Sequence, residues 1–272
     1  MSGENLTRII TVASGKGGVG KTTLVSNLGV ALVRKFNRYT TVIDCNVTTS
    51  HLGLYLGMYY TPATLNKVLR GEVSIEEAIY EHFSGMKILP ASLSLSDLEG
   101  VDLTQIRDKI KTLFESNDII LLDSSPGLGR EAVAALKASD EVLLVTTPFV
   151  PSVMDIVRCL EVIKEIGVKP IGIVLNMVHK KKYEMTETEV EQLTGIPVIA
   201  SISYDKNVPK SLAAKVPVVI SNPRSNVSRD VFKLAAKLVG ETYEPESTFR
   251  RIINKIKGKF SRRVEIVVPP KI

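Results

Sequence analysis

Cysteine and histidine are scarce in this 272-residue chain: two cysteines, Cys45 and Cys159, and three histidines. With no CxxC and no local companion for either thiol, the chain holds neither a secreted disulfide scaffold nor a four-ligand zinc site, which fits a reducing compartment. His51, His82 and His179 are scattered singly and make no ligand cluster. The opening residues, MSGENLTRII, lack a basic segment followed by an apolar run and a small-residue cleavage site, so no secretory signal is expected. No apolar stretch approaches the roughly 20 residues that span a bilayer. Repeats and low-complexity tracts are also missing. The expected address is cytoplasmic.

Acidic residues are missing from one place in particular. Between Thr248 and Arg263 stand seven cations, Arg250, Arg251, Lys255, Lys257, Lys259, Arg262 and Arg263, with no acid among them. Subtracting these seven from the net charge of +6 leaves −1 for the rest of the chain, so the basic character belongs to one short segment. Within it Phe249, Ile252, Ile253, Ile256 and Phe260 recur at steps of three, four and seven, one stripe on a helix, with the cations around it. Such a helix suits an anionic membrane interface. Packing of the stripe on the protein's own body is the plainer alternative.

What the sequence has in quantity is apolar patterning, with 44% hydrophobic residues. Short β-branched runs at 8–14, 40–44, 86–91, 118–123, 141–147, 169–176 and 196–203 alternate with helical patterns. Continuous apolar strands are those buried on both faces of a parallel sheet. Segments 22–36, 102–114, 150–167 and 187–195 read as crossover helices, the last opened by a capping box from Thr186 to Glu189. The fold predicted is a doubly wound, mostly parallel α/β sheet. The expected division is a body at 1–240, a polar linker at 241–247 and the amphipathic appendage at 248–272.

In that architecture ligands sit at the carboxyl ends of the strands. There the chain carries ASGKGGVGKTTL at 13–24, which satisfies G-x-x-x-x-G-K-[ST] between a predicted strand and a predicted helix. Gly15, Gly17, Gly18 and Gly20 let the backbone bend so that its N–H groups, those of Val19 and Thr23 included, can surround a phosphate. Lys21 adds a point charge, and the Thr22 hydroxyl is a ligand for Mg²⁺. ATP and Mg²⁺ are the cofactors this pattern calls for.

Lys16 is not needed for phosphate binding of this kind. The variant KGGVGKTT resembles the deviant Walker A loop of the MinD/ParA family, and the basic stripe makes MinD-like members the nearest match. In that family the extra lysine reaches the phosphates held by the other subunit. The resemblance therefore implies a homodimer in the ATP state, with catalytic roles for Lys16 and Lys21, and a membrane-attached switch that positions a protein partner. It also implies that Asp123, ending DIILLD, holds the magnesium shell and that the backbone at Gly127 senses the γ-phosphate. Asp44 matches the first acid of the family's Asp-x-Asp switch. Asn46 stands where the second acid would position the attacking water. An amide orients water but is a far weaker proton acceptor, so slow or absent hydrolysis is expected.

Asn176 in GIVLNMV matches the residue that reads adenine, and Asp205 in SISYDKNVPKSL lies in a loop that closes over the base. Met177, Ser203 and Phe149 depart from the family's arginine, proline and acid, whereas Pro148 and Asp155 conform. Three rivals stay open: a DNA-partitioning ATPase, favoured by HKKKY at 179–183; a metal carrier, which would need paired cysteines; and a nucleotide-locked scaffold without turnover.

Overall fold

The computed structural model describes residues 7–245. The chain divides into a unit at Met1–Glu241 and a second at Thr242–Ile272, and the first is the one described below. The amphipathic stripe of Phe249, Ile252, Ile253, Ile256 and Phe260 lies outside the described residues.

Eight strands form one sheet: β1 (Arg8–Ala13), β2 (Thr40–Asp44), β3 (Tyr80–Glu81), β4 (Lys87–Leu89), β5 (Ile119–Asp123), β6 (Glu141–Thr146), β7 (Lys169–Val178) and β8 (Val198–Ser203). Their order is β3-β4-β2-β5-β1-β6-β7-β8, with every pair parallel except the antiparallel β3–β4. All seven predicted strands are present. β3 was not expected, since a two-residue strand carries no readable period.

Every residue of β2 and β5 is buried, as a central parallel sheet requires. Successive residues serve opposite faces. Val42 faces the helix Lys21–Phe36, where a Cβ on Gly29 would come within 2.7 Å of it. Its neighbour Ile43 joins a core with Ile9, Leu122, Ile106 and Ala135 on the other side. A further core gathers Leu144 and Ile173 with Val153, Ile156 and Ile163 of the helix Val150–Ile166. The predicted capping box is formed, with Thr186 Oγ1 accepting from the Glu189 N–H and starting the helix Glu187–Thr194.

Two segments differ from expectation. The helix predicted over 102–114 is broken into a 3₁₀ turn (Leu103–Gln105), an α-turn (Ile106–Ile110) and a second 3₁₀ stretch (Lys111–Ser116). Side chains from beyond the segment take its last carbonyls: Asn117 Nδ2, just after it, donates to the Leu113 oxygen at 2.9 Å, and the hydroxyl of the distant Thr7 donates to that of Phe114. With those carbonyls occupied, the tighter 3₁₀ spacing satisfies the rest. The second segment is SISYDKNVPKSL, read as a closing loop. Its second half forms most of a helix, Asn207–Ala214, whose first N–H is held by Asp205 Oδ1 at 2.8 Å.

Candidate functional site

The loop from Ser14 to Gly20 links β1 to the helix that starts at Lys21. Gly18 and Gly20 adopt φ of 80° and 83°, a left-handed conformation that favours glycine. Gly15 and Gly20 are also required by close packing. A Cβ on Gly15 would lie 2.4 Å from that of Asp155, and one on Gly20 would lie 2.4 Å from Asn176 Nδ2. At Gly18 the same atom would meet nothing within 4 Å, so only the backbone conformation asks for glycine there. Val19 is buried, and its carbonyl accepts from Asn176 Nδ2 at 2.8 Å. The predicted base-reading asparagine thus also braces the phosphate loop.

Lys21 and Lys16 are treated oppositely by the fold. Lys21 is 7% exposed and points inward, its ammonium 3.2 Å from Asp123 Oδ1 and donating also to the Ser124 carbonyl. Lys16 is exposed and has no ion pair among the described residues. Register brings Asp44, at the end of β2, directly opposite Asp123, at the end of β5, and both are buried. Burial, and then the neighbouring Asp123 carboxylate, push the Asp44 carboxyl up to about 7. Two strand-end carboxylates side by side are oxygen donors that suit a hard cation, and Thr22 follows Lys21 in the first turn of the helix that faces them. Among the described residues no cluster of three or more His, Cys, Asp or Glu could hold a metal. A Mg²⁺ ion here would therefore complete its shell with phosphate and water oxygens.

The segment after β2 hangs from Asp44. Its Oδ1 accepts from the Asn46 N–H at 3.0 Å, and its Oδ2 from the Ser50 hydroxyl at 2.7 Å and the Leu52 N–H at 3.2 Å. Asn46 is turned onto Thr49: its Nδ2 donates to the Thr49 carbonyl at 2.8 Å and its Oδ1 accepts from the Thr49 hydroxyl at 3.0 Å. Glu131, on the helix Arg130–Ala138, accepts from the Thr48 N–H at 3.0 Å and from its hydroxyl. Asn46, Thr48, Ser125, Pro126 and Glu131 line a cleft of about 560 Å³. Gly127, at φ 77°, donates its N–H to the Ser14 carbonyl at 2.9 Å and so ties the segment after β5 to the phosphate loop.

On the other flank of the phosphate loop lies a mainly apolar cavity of about 180 Å³. Gly20, Thr23, Asn176, Met177 and Asp205 border it, and Leu24, Val208, Leu212 and Val231 fill its walls. An apolar slot with a few polar groups at one end is the form a planar base takes up. Sequence reading reached Asn176 and Asp205 but not the apolar walls, which come from three separate helices. It also missed Ser50, Ser124 and Glu131, whose roles depend on contacts with no local pattern.

Neither cysteine has a partner of its kind. Cys45 and Cys159 are buried in separate cores, and burial holds both thiols above their usual range, Cys159 at about 11. The HKKKY segment is an exposed turn wound around Glu184, whose carboxylate accepts the His179 N–H at 3.0 Å and the Lys181 N–H at 3.1 Å. Phe149 is 39% exposed and stacks on Tyr183.

A glycine-bent loop that leaves a parallel strand for a helix N-terminus, beside two strand-end carboxylates, defines a P-loop nucleotide-binding fold. The model of the CobQ/CobB/MinD/ParA nucleotide-binding domain matches residues 10–218, and the chain belongs to that family. It is 34% identical to an uncharacterized ATP-binding protein of Methanocaldococcus jannaschii, over 93% of this chain and 97% of the relative. Among solved structures it resembles the cell division ATPase MinD of Pyrococcus furiosus, with TM-score 0.82 and 32% identity over 86% of this chain and 98% of that one. It is similarly close to the septum site-determining protein MinD of Pyrococcus horikoshii complexed with Mg-ADP, with TM-score 0.81 and 31% identity over 85% and 96% of the two chains.

Proposed function

We propose that this protein is a MinD-like switch that binds ATP with Mg²⁺, dimerises in that state, attaches peripherally to the cytoplasmic membrane face and positions a protein partner there. The observation that carries this reading is the division of labour between two lysines of one loop. Lys21 is buried and directed at its own site, where it would grip phosphate, while Lys16 is exposed and has no ion pair among the described residues. A long stem with a compact charge is suited to reach a second molecule's phosphates. The solved relative with Mg-ADP supports the cofactor pair. Bound Mg²⁺ would neutralise phosphate charge. Thr22, Asp44 and Asp123 would hold its shell, Gly15 to Thr23 would cradle the phosphates, and Asn176 and Asp205 would face the base.

Membrane attachment rests on the stripe Phe249, Ile252, Ile253, Ile256 and Phe260. A single tail would bind weakly, and two joined through an ATP dimer would gain from effective concentration. No helix among the described residues is long and apolar enough to cross a membrane.

Asn46 favours a second reading of turnover, as a scaffold that holds ATP without hydrolysing it. Its amide is closed onto Thr49 and carries no charge with which to take a proton. Light scattering tests the main proposal. Saturating ATP with Mg²⁺ should double the mass of the parent protein, and Lys16→Ala should remain a monomer while still binding nucleotide. A parent that stays monomeric, or a Lys16→Ala variant that dimerises equally, would overturn it.

A further inference from the structure

We propose that Glu131 is a positioning residue that latches the segment after β2 to the segment after β5, so that events at Gly127 reach residues 46–50. The nucleotide-coupled half of this inference rests on the ATP-switch reading; the latch itself does not.

Residues 46–52 are held by two carboxylates. Asp44 takes both ends, through Asn46 and through Ser50 and Leu52. The middle is Thr48, an exposed residue whose N–H and hydroxyl both converge on a single oxygen of Glu131, 83 residues further along the chain. Water could satisfy two exposed donors at little cost, so solvation does not require this convergence. The helix dipole does not require it either: an acid in the first turn of Arg130–Ala138 would serve that purpose facing solvent. What the geometry adds is a bridge between two separate loops.

The bridge continues a chain of direct contacts. The Ser14 carbonyl, in the phosphate loop, accepts the Gly127 N–H at 2.9 Å. Two residues after Gly127 comes Gly129, the N-cap of the helix Arg130–Ala138, whose carbonyl accepts the Val133 N–H at 3.0 Å, so Glu131 is fixed in the first turn of a regular element. A shift of the 125–129 turn therefore carries Glu131 with it, and Glu131 carries Thr48. Asn46, two residues before Thr48, borders the same cleft as Glu131. The negative charge facing this cleft from 46–49 and 129–131 is supplied by Glu131 rather than by residue 46. Asn46 would orient water only while the latch holds its loop in place, which makes Glu131 act through Thr48 and not on the reacting atoms. Coupling of this kind needs a shared element that both loops bias, and the first turn of Arg130–Ala138 is that element.

Hydrogen exchange and turnover on the full chain test the inference. Glu131→Ala removes the acceptor, and Thr48→Val removes the hydroxyl donor while leaving the helix untouched. Without nucleotide, amides of 46–50 should exchange about tenfold faster in Glu131→Ala, the scale of one hydrogen bond to a charged group, with β1, β2 and β5 unchanged. With ATP and Mg²⁺ the parent should slow exchange at both 46–50 and 125–131, and Glu131→Ala only at 125–131. Each single variant should lower kcat about tenfold with KM within about twofold, and the double variant should be no worse than the worse single, as members of one contact behave. Unchanged exchange at 46–50 in Glu131→Ala overturns the latch, as does a double variant equal to the product of the singles. A parent that binds no ATP instead overturns the functional proposal, and the nucleotide-free exchange still decides the latch.

Discussion

The phosphate loop and the segment after β2 sit at the same end of the sheet, yet opposite means hold them. Backbone conformation and close packing shape the first: φ of 80° and 83° at Gly18 and Gly20, and no room for a side chain on Gly15 against Asp155. The second has no glycine between Asp44 and Leu52 and takes its form from carboxylates outside it, Asp44 at its ends and Glu131 at its middle. A loop shaped by its own glycines and packed closely on its neighbours is a rigid receptor. A loop held by its neighbours moves when they move, which is what a switch has to do.

The contrast can be broken at Lys21, where the largest effect is expected. This lysine and Asp123 form a buried pair, with side chains 8% and 2% exposed. Lys21→Met should lower the nucleotide-free melting temperature by on the order of 10 °C, because leaving a buried charge unpaired costs about 3–5 kcal/mol. The same variant should lose nucleotide binding by titration calorimetry. A variant that melted like the parent would show that the two carboxylates need no counter-charge.

Asn46→Asp sharpens the comparison from the other side, with a smaller effect on turnover and little on binding. A carboxylate at 46 should raise kcat about 10²-fold, the lower end of what a placed general base contributes. Nucleotide affinity should stay within about threefold, since the phosphate loop is shaped without residue 46. Equal rates in parent and variant would remove residue 46 from the chemistry.

The smallest effect is expected at Gly18, where space is open and only φ is at issue. Gly18→Ala should cost about 1–2 kcal/mol, a fall of a few degrees in thermal denaturation. A neutral result would mean that the loop changes conformation to accept the side chain.

Much of the fold was legible because its signals are local. Seven strands announce themselves as short apolar runs, and Thr186 with Glu189 carries its capping box in four residues. The phosphate loop is read from eight consecutive residues, 15–22. The break in the helix predicted over 102–114 was not legible, since Thr7 and Asn117 reach its carbonyls from outside the segment. The helix at Asn207–Ala214 was hidden by Pro209, which the first turn tolerates and which a loop would equally contain.

By itself the sequence determined the sheet, the phosphate loop and the family to which the chain belongs, because periodicity, glycine placement and a lysine at a set distance act over a few neighbouring residues. Only the tertiary structure decided that Lys21 turns inward while Lys16 stays exposed, that Asp44 lies opposite Asp123, and that Glu131 meets Thr48. Those pairings join residues dozens of positions apart, and strand register and helix packing alone bring such residues within bonding distance.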